Sequence, residues 1–256
     1  MSKALYIDSN VFLTFYSLTN QDLTELNKLS SLVESEELRL LLPEQTKNEF
    51  FRNREGNIAE ALKKFLENNL NNVYPNICKD YTDEYTAMKK SAETFNKNKQ
   101  SLLEKLRKDI KANSLQADIL INELFEKAII LKSSKHLLEK AKQRFDLGNP
   151  PGKKKSYGDA IIWETLLEKC SSEKYTDFYF ISDDGDFYSE FDKTDFRPYL
   201  ATEWNLKIGK NFKHYKSLPE FFRENYPNIN IASESEKDYL IAQLLESQVL
   251  LKPEEY

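Results

Sequence analysis

Three acidic residues fall within four positions close to residue 184, directly after an apolar stretch of the chain. Residues 178–181 have the character of a buried strand, and Ser182 follows them. In an α/β protein, a buried strand delivers the residues that follow it to the carboxyl edge of the sheet, where ligands bind. The acids that follow here are Asp183, Asp184 and Asp186. They repel one another at this spacing, so the stretch points to a divalent metal site if other strands bring carboxylates to the same edge.

Three further acids are predicted to reach that edge from distant parts of the chain. Asp8 follows a short apolar strand pattern at residues 4–7. Glu49 lies one or two turns into the helix after a second strand pattern at residues 38–42, and Asp159 lies in the first turn of a later helix. Parallel strands end, and the helices after them begin, at one edge of a sheet. A cluster of carboxylates there favours Mg²⁺ or Mn²⁺, which can activate a water and neutralise a phosphodiester.

Each acid also has a purely structural alternative. Asp159 could close a capping box with Ser156. Asp8 could form a turn with the two polar residues after it, and residues 183–186 could form an Asx-type turn. Glu49 could be an exposed helix acid. The joint pattern of acids after strands and at helix starts favours the metal site over these separate explanations.

The order of the predicted elements indicates an α/β fold with a central parallel sheet flanked by helices. Strand patterns alternate with helical patterns before residue 57 and after residue 145, and a weak last strand is predicted at residues 205–208. Residues 57–145 are rich in Lys, Glu and Asn, show no strand pattern and repeat apolar residues at helical spacing. We predict one domain at residues 1–225 with a helical insertion at about 57–145. A C-terminal helical tail is predicted at 226–256.

Composition limits the class of protein. The chain has 256 residues, of which 40% are hydrophobic and 31% are charged, and this balance suits folded domains rather than disorder. Two Cys give no disulfide framework, and two His argue against a His-rich metal site. No signal-peptide or membrane-span pattern is present, so we expect a cytoplasmic protein without a membrane partner. The net charge of −5 means that a nucleic-acid partner would need a local basic surface.

The four acidic segments together resemble the motifs of the PIN domain, a metal-dependent nuclease fold. Residues 8–12 (DSNVF) and 43–49 (PEQTKNE) resemble its first and second motifs. Residues 158–160 (GDA) and 182–187 (SDDGDF) resemble its third and fourth. In addition, NPPGKKK at residues 149–155 followed by GDAIIWE is similar to an uncharacterised bacterial PIN-like subgroup. The resemblance covers about residues 1–55 and 145–225.

The resemblance implies a PIN-like three-layer fold and endonucleolytic cleavage of RNA, less often DNA. A water activated by one or two Mg²⁺ or Mn²⁺ ions would attack the phosphate, so no side-chain nucleophile is needed. Asn10 and Ser182 would orient the carboxylates, and Asp183 would be the variable residue of the fourth motif. The catalytic metal ligands that the resemblance implies are Asp8, Glu49, Asp159 and Asp184, with Asp186 as a further metal ligand.

A local basic segment offers a place for nucleic acid to bind. Residues 132–155 hold eight Lys or Arg against two acids. Its last three basic residues, Lys153, Lys154 and Lys155, lie four to six positions before Asp159, so we expect them to contact phosphates without reading base sequence. The alternative for residues 132–144 is a solvated helix surface. A second basic stretch spans residues 97–111.

Several other functions stay open from the sequence. A Mg²⁺-dependent phosphatase of the haloacid dehalogenase kind would need an acid two residues after Asp8, where this chain has Asn10, so it is disfavoured. A DNA-directed nuclease and a catalytically silent PIN-like scaffold are further alternatives, and retention of all four acids argues against the scaffold. A toxin or defence role would invite control by an inhibitor or activator protein. A homo-oligomer is also compatible with the sequence.

Overall fold

A computed structural model describes most of the chain up to residue 228. The described ranges are residues 2–17, 23–67, 70, 73–152, 157–173, 175–209 and 211–228. Their strands and helices are, in chain order, β1 (Ser2–Ile7), α1 (Ser9–Leu13), α2 (Thr24–Glu34), β2 (Leu38–Pro43), α3 (Glu44–Glu67), α4 (Thr82–Ala112), α5 (Gln116–Lys127), β3 (Ile129–Leu131), α6 (Lys135–Asp146), α7 (Gly158–Ser172), β4 (Tyr175–Ile181), α8 (Pro198–Lys207), β5 (Asn211–Tyr215) and α9 (Leu218–Asn225). Short 3₁₀ turns lie at Thr14–Tyr16, Asn76–Asp80 and Gly185–Phe187.

The central sheet is parallel, as the alternation of strands and helices predicts. Within the described residues it has five strands in the order β3-β2-β1-β4-β5. The chain moves outward from β1 through β2 to β3 on one side, and from β4 to β5 on the other. The strand order therefore reverses between β1 and β4, and in open α/β sheets ligands bind at the carboxyl ends of the strands at such a switch point.

Helices cover both faces of the sheet, which gives the three-layer architecture expected from the sequence. Leu5 and Ile7 of β1 pack into one apolar core with residues of α1, α2, α5 and α9. Ala4 and Tyr6 point the other way, into a second core with residues of α7 and α8. Because both faces of β1 are buried from Ala4 to Ile7, that part of its sequence is an unbroken apolar run rather than an alternating one.

Two elements differ from the sequence-based expectation. The prediction of a strand at residues 205–208 is wrong. Helix α8 continues to Lys207, and the last strand of the described chain is β5. Pro198 begins α8, and Leu200 and Trp204 are buried at helical spacing. The region 57–145 was expected to lack strands, but it contains β3, which pairs with β2. A run of three residues is too short for periodicity to distinguish a strand from a helix.

The long helices of the 57–145 region are tied to the sheet domain by a buried ion pair. Arg54 of α3 donates to both carboxylate oxygens of Asp118 of α5, at 2.6 and 2.5 Å. Tyr16 donates a further hydrogen bond to Asp118 at 2.6 Å. Farther out, Lys99 of α4 donates to the carbonyl of Leu66 at 3.1 Å. Since α3 runs unbroken from residue 44 to residue 67, the helix that carries Glu49 also supports α4.

None of the helices in the described part of the chain combines the length and apolarity needed to cross a bilayer. The predicted C-terminal helical tail at 226–256 lies outside the described residues from residue 229 onward.

Candidate active site

The carboxyl ends of β1 and β4 meet at the switch point of the sheet. Asp8 directly follows β1, and its backbone N–H donates to the carbonyl of Ile181, the last residue of β4, at 2.8 Å. This hydrogen bond extends the pairing of the two strands by one residue. Residues that follow β1 and β4 are therefore held next to each other, although they are more than 170 positions apart in the chain.

Asp8 is a buried carboxylate that accepts hydrogen bonds from several neighbouring groups. Its side chain is accessible over only 3% of its surface. Ser182 Oγ donates to Asp8 Oδ2 at 2.6 Å, and Ser9 Oγ donates to Oδ1 at 3.3 Å. Burial raises the pKa of Asp8, the bond from Ser182 opposes that rise, and the charge of Asp184 adds to it.

Ser182 links the acids of the two strands. Its hydroxyl donates to Asp8 and accepts a hydrogen bond from the backbone N–H of Asp184 at 3.1 Å. Asp184 Oδ1 in turn accepts from the backbone N–H of Asp186 at 2.8 Å, which caps the short turn Gly185–Phe187. One small hydroxyl residue therefore sets the relative position of two of the predicted site acids.

Glu49 reaches the same cleft from α3, where it packs against the first residue of α7. Gln45 Nε2 donates to Glu49 Oε1 at 2.7 Å and holds the carboxylate over Gly158. A Cβ atom at Gly158 would lie 2.2 Å from Glu49 Oε1, so a glycine at this position leaves the space that the carboxylate occupies. Burial raises the pKa of Glu49, and the charges of Asp8 and Asp184 add to that rise.

The ionisation of Asp159 is opposed by the charges of all four other acids of the cleft. Burial, followed by the charges of Asp184, Asp8, Glu49 and Asp186, raises its pKa to about 8. Burial, followed by the charges of Asp8, Asp159 and Glu49, also raises the pKa of the buried Tyr6 hydroxyl. The structure thus brings Asp8, Glu49, Asp159, Asp184 and Asp186 into one electrostatically coupled group.

The remaining residues singled out in the sequence have different placements. Asn10 is exposed, and its contact with Asp8 is made by the backbone N–H, which donates to Oδ1 at 3.4 Å. A role for its side-chain amide stays a prediction. Lys153, Lys154 and Lys155 lie outside the described residues, and so does Ser156, the proposed capping partner of Asp159. Within the described residues, Tyr157 precedes the first residue of α7.

The chemistry of these side chains fits a hard divalent cation. Among the described residues, no three His, Cys, Asp or Glu side chains already stand at the spacing of a metal site. The donors that converge are all carboxylates, and their ionisation is opposed by burial and by one another. A nearby Mg²⁺ or Mn²⁺ would favour the ionised forms, and oxygen ligands are those that these ions prefer.

Two residues beside Glu49 were not singled out from the sequence. Gln45 and Arg52 lie one turn before and one turn after Glu49 on α3, so helical spacing could have identified both. Arg52 Nη2 lies 3.8 Å from Glu49 Oε1. The close approach of Glu49 to Gly158 joins positions 109 residues apart, and no local pattern in the chain could have revealed it.

A buried arginine fixes the helix that carries Asp159. Arg144 of α6 donates to Glu164 of α7 at 2.7 and 2.5 Å and to Glu203 of α8 at 2.6 Å. It also donates to the carbonyl of Pro150 at 2.7 Å. The indole N–H of Trp163 completes the network by donating to Glu203 at 2.8 Å. The position of α7 beside the sheet is therefore determined by charge pairing as well as by apolar packing.

A family model described as PIN domain matches residues 5–187 of the chain. The match covers well over half of the sequence and spans all five acids of the cleft. No curated protein and no solved structure matches the chain.

Proposed function

The chain belongs to the PIN-domain family, and from that premise we propose that it is a metal-dependent endonuclease that hydrolyses single-stranded RNA. PIN domains are usually nucleases and generally use divalent metals such as Mg²⁺. The observation that carries the proposal is the group of acids from β1, α3, α7 and β4 at the switch point, where burial and the charges of the other acids together raise the pKa of Asp159 to about 8. An acid-rich cleft of this kind is suited to binding cations, and a divalent cation near the phosphate can promote phosphodiester hydrolysis.

We assign the metal ligands to Asp8, Glu49, Asp159 and Asp184, with Asp186 as a further ligand. When bound, Mg²⁺ or Mn²⁺ would supply positive charge to the phosphate and acidity to the attacking water. The chain's own residues orient the carboxylates. Ser182 holds Asp8 and Asp184 through hydrogen bonds, Gln45 holds Glu49, and Asn10 contacts Asp8 through its backbone. Our proposal assigns no side chain as the nucleophile.

Phosphate recognition is proposed for Lys153, Lys154 and Lys155. These three lysines precede Asp159 by four to six positions in the chain, and the acid-rich cleft would otherwise repel a polyanion. Their contacts would position a strand without selecting its sequence. We further propose that the enzyme acts in the cytoplasm. If it serves as a toxin or a defence effector, its activity would have to be controlled by an inhibitor or activator protein. Assembly as a homo-oligomer is compatible with this function.

The proposal is tested with end-labelled single-stranded RNA, DNA of the same sequence and p-nitrophenyl phosphate, each incubated with Mg²⁺, Mn²⁺ or EDTA. We expect internal cleavage of the RNA with Mg²⁺ or Mn²⁺ and no cleavage in EDTA. Cleavage of DNA alone would identify a DNA-directed nuclease instead. Release of p-nitrophenol alone would indicate a phosphatase, and inactivity toward all three substrates would favour a binding scaffold.

A further inference from the structure

A cation borders the acid-rich cleft on α3. Gln45, Glu49 and Arg52 are spaced four and three residues apart, so they share one face of the helix. Gln45 and Glu49 contact Gly158 at the start of α7, and Arg52 lies one turn farther from the sheet. Its guanidinium stands 3.8 Å from Glu49 Oε1, and the Arg52 side chain is 64% exposed, whereas the side chain of Glu49 is 13% exposed. Arg52 therefore bridges a carboxylate of the cleft and the solvent at its rim.

The ion pair between Arg52 and Glu49 is easily exchanged. A pair whose arginine is open to solvent contributes little to stability, because water screens the charges and the long side chain loses entropy when it is held. Glu49 also keeps its hydrogen bond from Gln45 when the arginine moves away. The geometry of α3 thus provides a positive group that can leave Glu49 without leaving the rim of the cleft.

We propose that Arg52 is a substrate-binding residue that exchanges Glu49 for a phosphate of the nucleic-acid backbone. The inference rests on the proposed nuclease function. A guanidinium matches the geometry of a phosphate and can donate two parallel hydrogen bonds to it. When a divalent cation balances Glu49, the carboxylate no longer requires Arg52, and the arginine is available to the incoming strand. The same residue then offsets charge repulsion in the free protein and attracts the polyanion in the complex.

A purely structural role for Arg52 and a role in phosphate binding predict different effects of Arg52→Gln on metal affinity. If Arg52 only held Glu49 in place, Arg52→Gln would weaken metal binding and leave the salt dependence of RNA binding unchanged. If Arg52 binds phosphate, its removal takes a positive charge away from the cleft, so the affinity for Mn²⁺ stays equal or rises. The affinity for RNA falls at the same time, and the two readouts therefore move in different directions.

The test compares wild type, Arg52→Gln, Arg52→Lys and Arg39→Gln. Arg39 is an exposed residue near the start of β2, at the amino edge of the sheet, so its loss gives the same charge change away from the cleft. Cleavage of a labelled single-stranded RNA is measured with Mn²⁺ over a range of KCl concentrations. Binding of Mn²⁺ alone is measured by titration calorimetry.

For Arg52→Gln we expect KM for RNA to rise about 10- to 100-fold, as for a lost charged hydrogen bond, with a smaller change in kcat. The slope of log KM against log salt should fall by about 0.7, the value for one phosphate contact on a single strand. Arg52→Lys should restore the salt slope and only part of the KM, since lysine binds phosphate as a point charge. Arg39→Gln should resemble wild type.

An unchanged KM and salt slope for Arg52→Gln, or a weakened affinity for Mn²⁺, would overturn the inference while leaving the nuclease proposal in place. Wild-type protein that cleaves no substrate would remove the nuclease proposal, and this inference with it.

Discussion

Asp159 lies within electrostatic range of four other carboxylates, and its ionisation therefore opposes folding in the absence of metal. Its pKa rises from 3.8, the ordinary value of an aspartate in an unfolded chain, to about 8 in the folded chain. A group with a raised folded-state pKa stabilises the fold fully below its unfolded pKa, and that contribution is lost as the pH rises through the folded value. Stability of the metal-free protein should therefore decline across this window.

We expect the midpoint of thermal unfolding in EDTA to fall as the pH is raised from about 5 to about 8. Asp159→Asn should raise the midpoint at the upper pH and reduce the fall, because asparagine cannot ionise. Asp183→Asn, an exposed neighbour, serves as the control and should keep the wild-type pH dependence. Scanning calorimetry measures all three proteins, and an Asp159→Asn profile that overlays that of wild type would contradict the electrostatic coupling.

Gly158 is a second residue of the cleft whose substitution has a specific expected effect, in this case on metal affinity. A Cβ there would meet the end of the Glu49 side chain at 2.2 Å. That carboxylate can swing aside, so Gly158→Ala should displace Glu49 with little loss of fold stability. Because misplacing the support of a metal ligand commonly costs 10- to 100-fold in metal affinity, we expect a loss of about that size for Mn²⁺.

Gly56→Ala is the matched control for this change. Gly56 lies in the same helix as Glu49, and a Cβ at that position would meet nothing within 4 Å. It should leave the affinity for Mn²⁺ unchanged and raise the thermal midpoint slightly, because alanine favours helix over glycine. Equal Mn²⁺ affinities for the two variants, measured by calorimetry, would show that Glu49 does not depend on the space at Gly158.

At the scale of elements, the three helices α6, α7 and α8 are joined by one buried arginine. The side chain of Arg144 is 6% exposed, and its partners Glu164 and Glu203 are 9% and 15% exposed. Removing one member of such a network leaves uncompensated charge in a region of low dielectric constant, which typically costs 3–5 kcal/mol. The network therefore stabilises the position of α7, and with it the position of Asp159.

Arg144→Met should lower the free energy of unfolding by about 3–5 kcal/mol in urea titrations. The control is Lys64→Met, which breaks an exposed ion pair with Glu60 on α3 and should leave the free energy of unfolding almost unchanged, because water screens the two charges. Similar losses for the two variants would mean that the Arg144 network behaves as a surface pair.

The strands and helices differ in how far the sequence predicts them. The apolar runs of β1 and β4 are unbroken because both faces of these strands are buried, and this makes them visible in the sequence. β3 was not predicted because it has only three residues. The end of α8 was predicted as a strand because its apolar residues lie at both helical and strand-like spacing. The Arg144 network was invisible for another reason, since charged residues in helices usually face solvent.

At the scale of the whole molecule, the fold brings together acids that the chain separates widely. The central parallel sheet and its flanking helices follow from the alternation of strand and helix patterns, and the family match supports the same conclusion. The strand order could not be read from local sequence, because it depends on which strands pair. The switch point between β1 and β4, where Asp8 and Asp184 meet, is a property of that order.

The most direct test of the nuclease proposal is the rate of RNA cleavage by Asp159→Asn relative to wild type in Mg²⁺. Asp183→Asn is the matched control, because it makes the same change at an exposed residue next to Asp184 and outside the proposed ligand set. We predict that Asp159→Asn loses at least about 100-fold in rate, a typical scale for removing a group that acts in the transition state. Asp183→Asn should keep a rate within a few-fold of wild type. Cleavage by folded Asp159→Asn at the wild-type rate would contradict the proposal that these acids form the catalytic metal site.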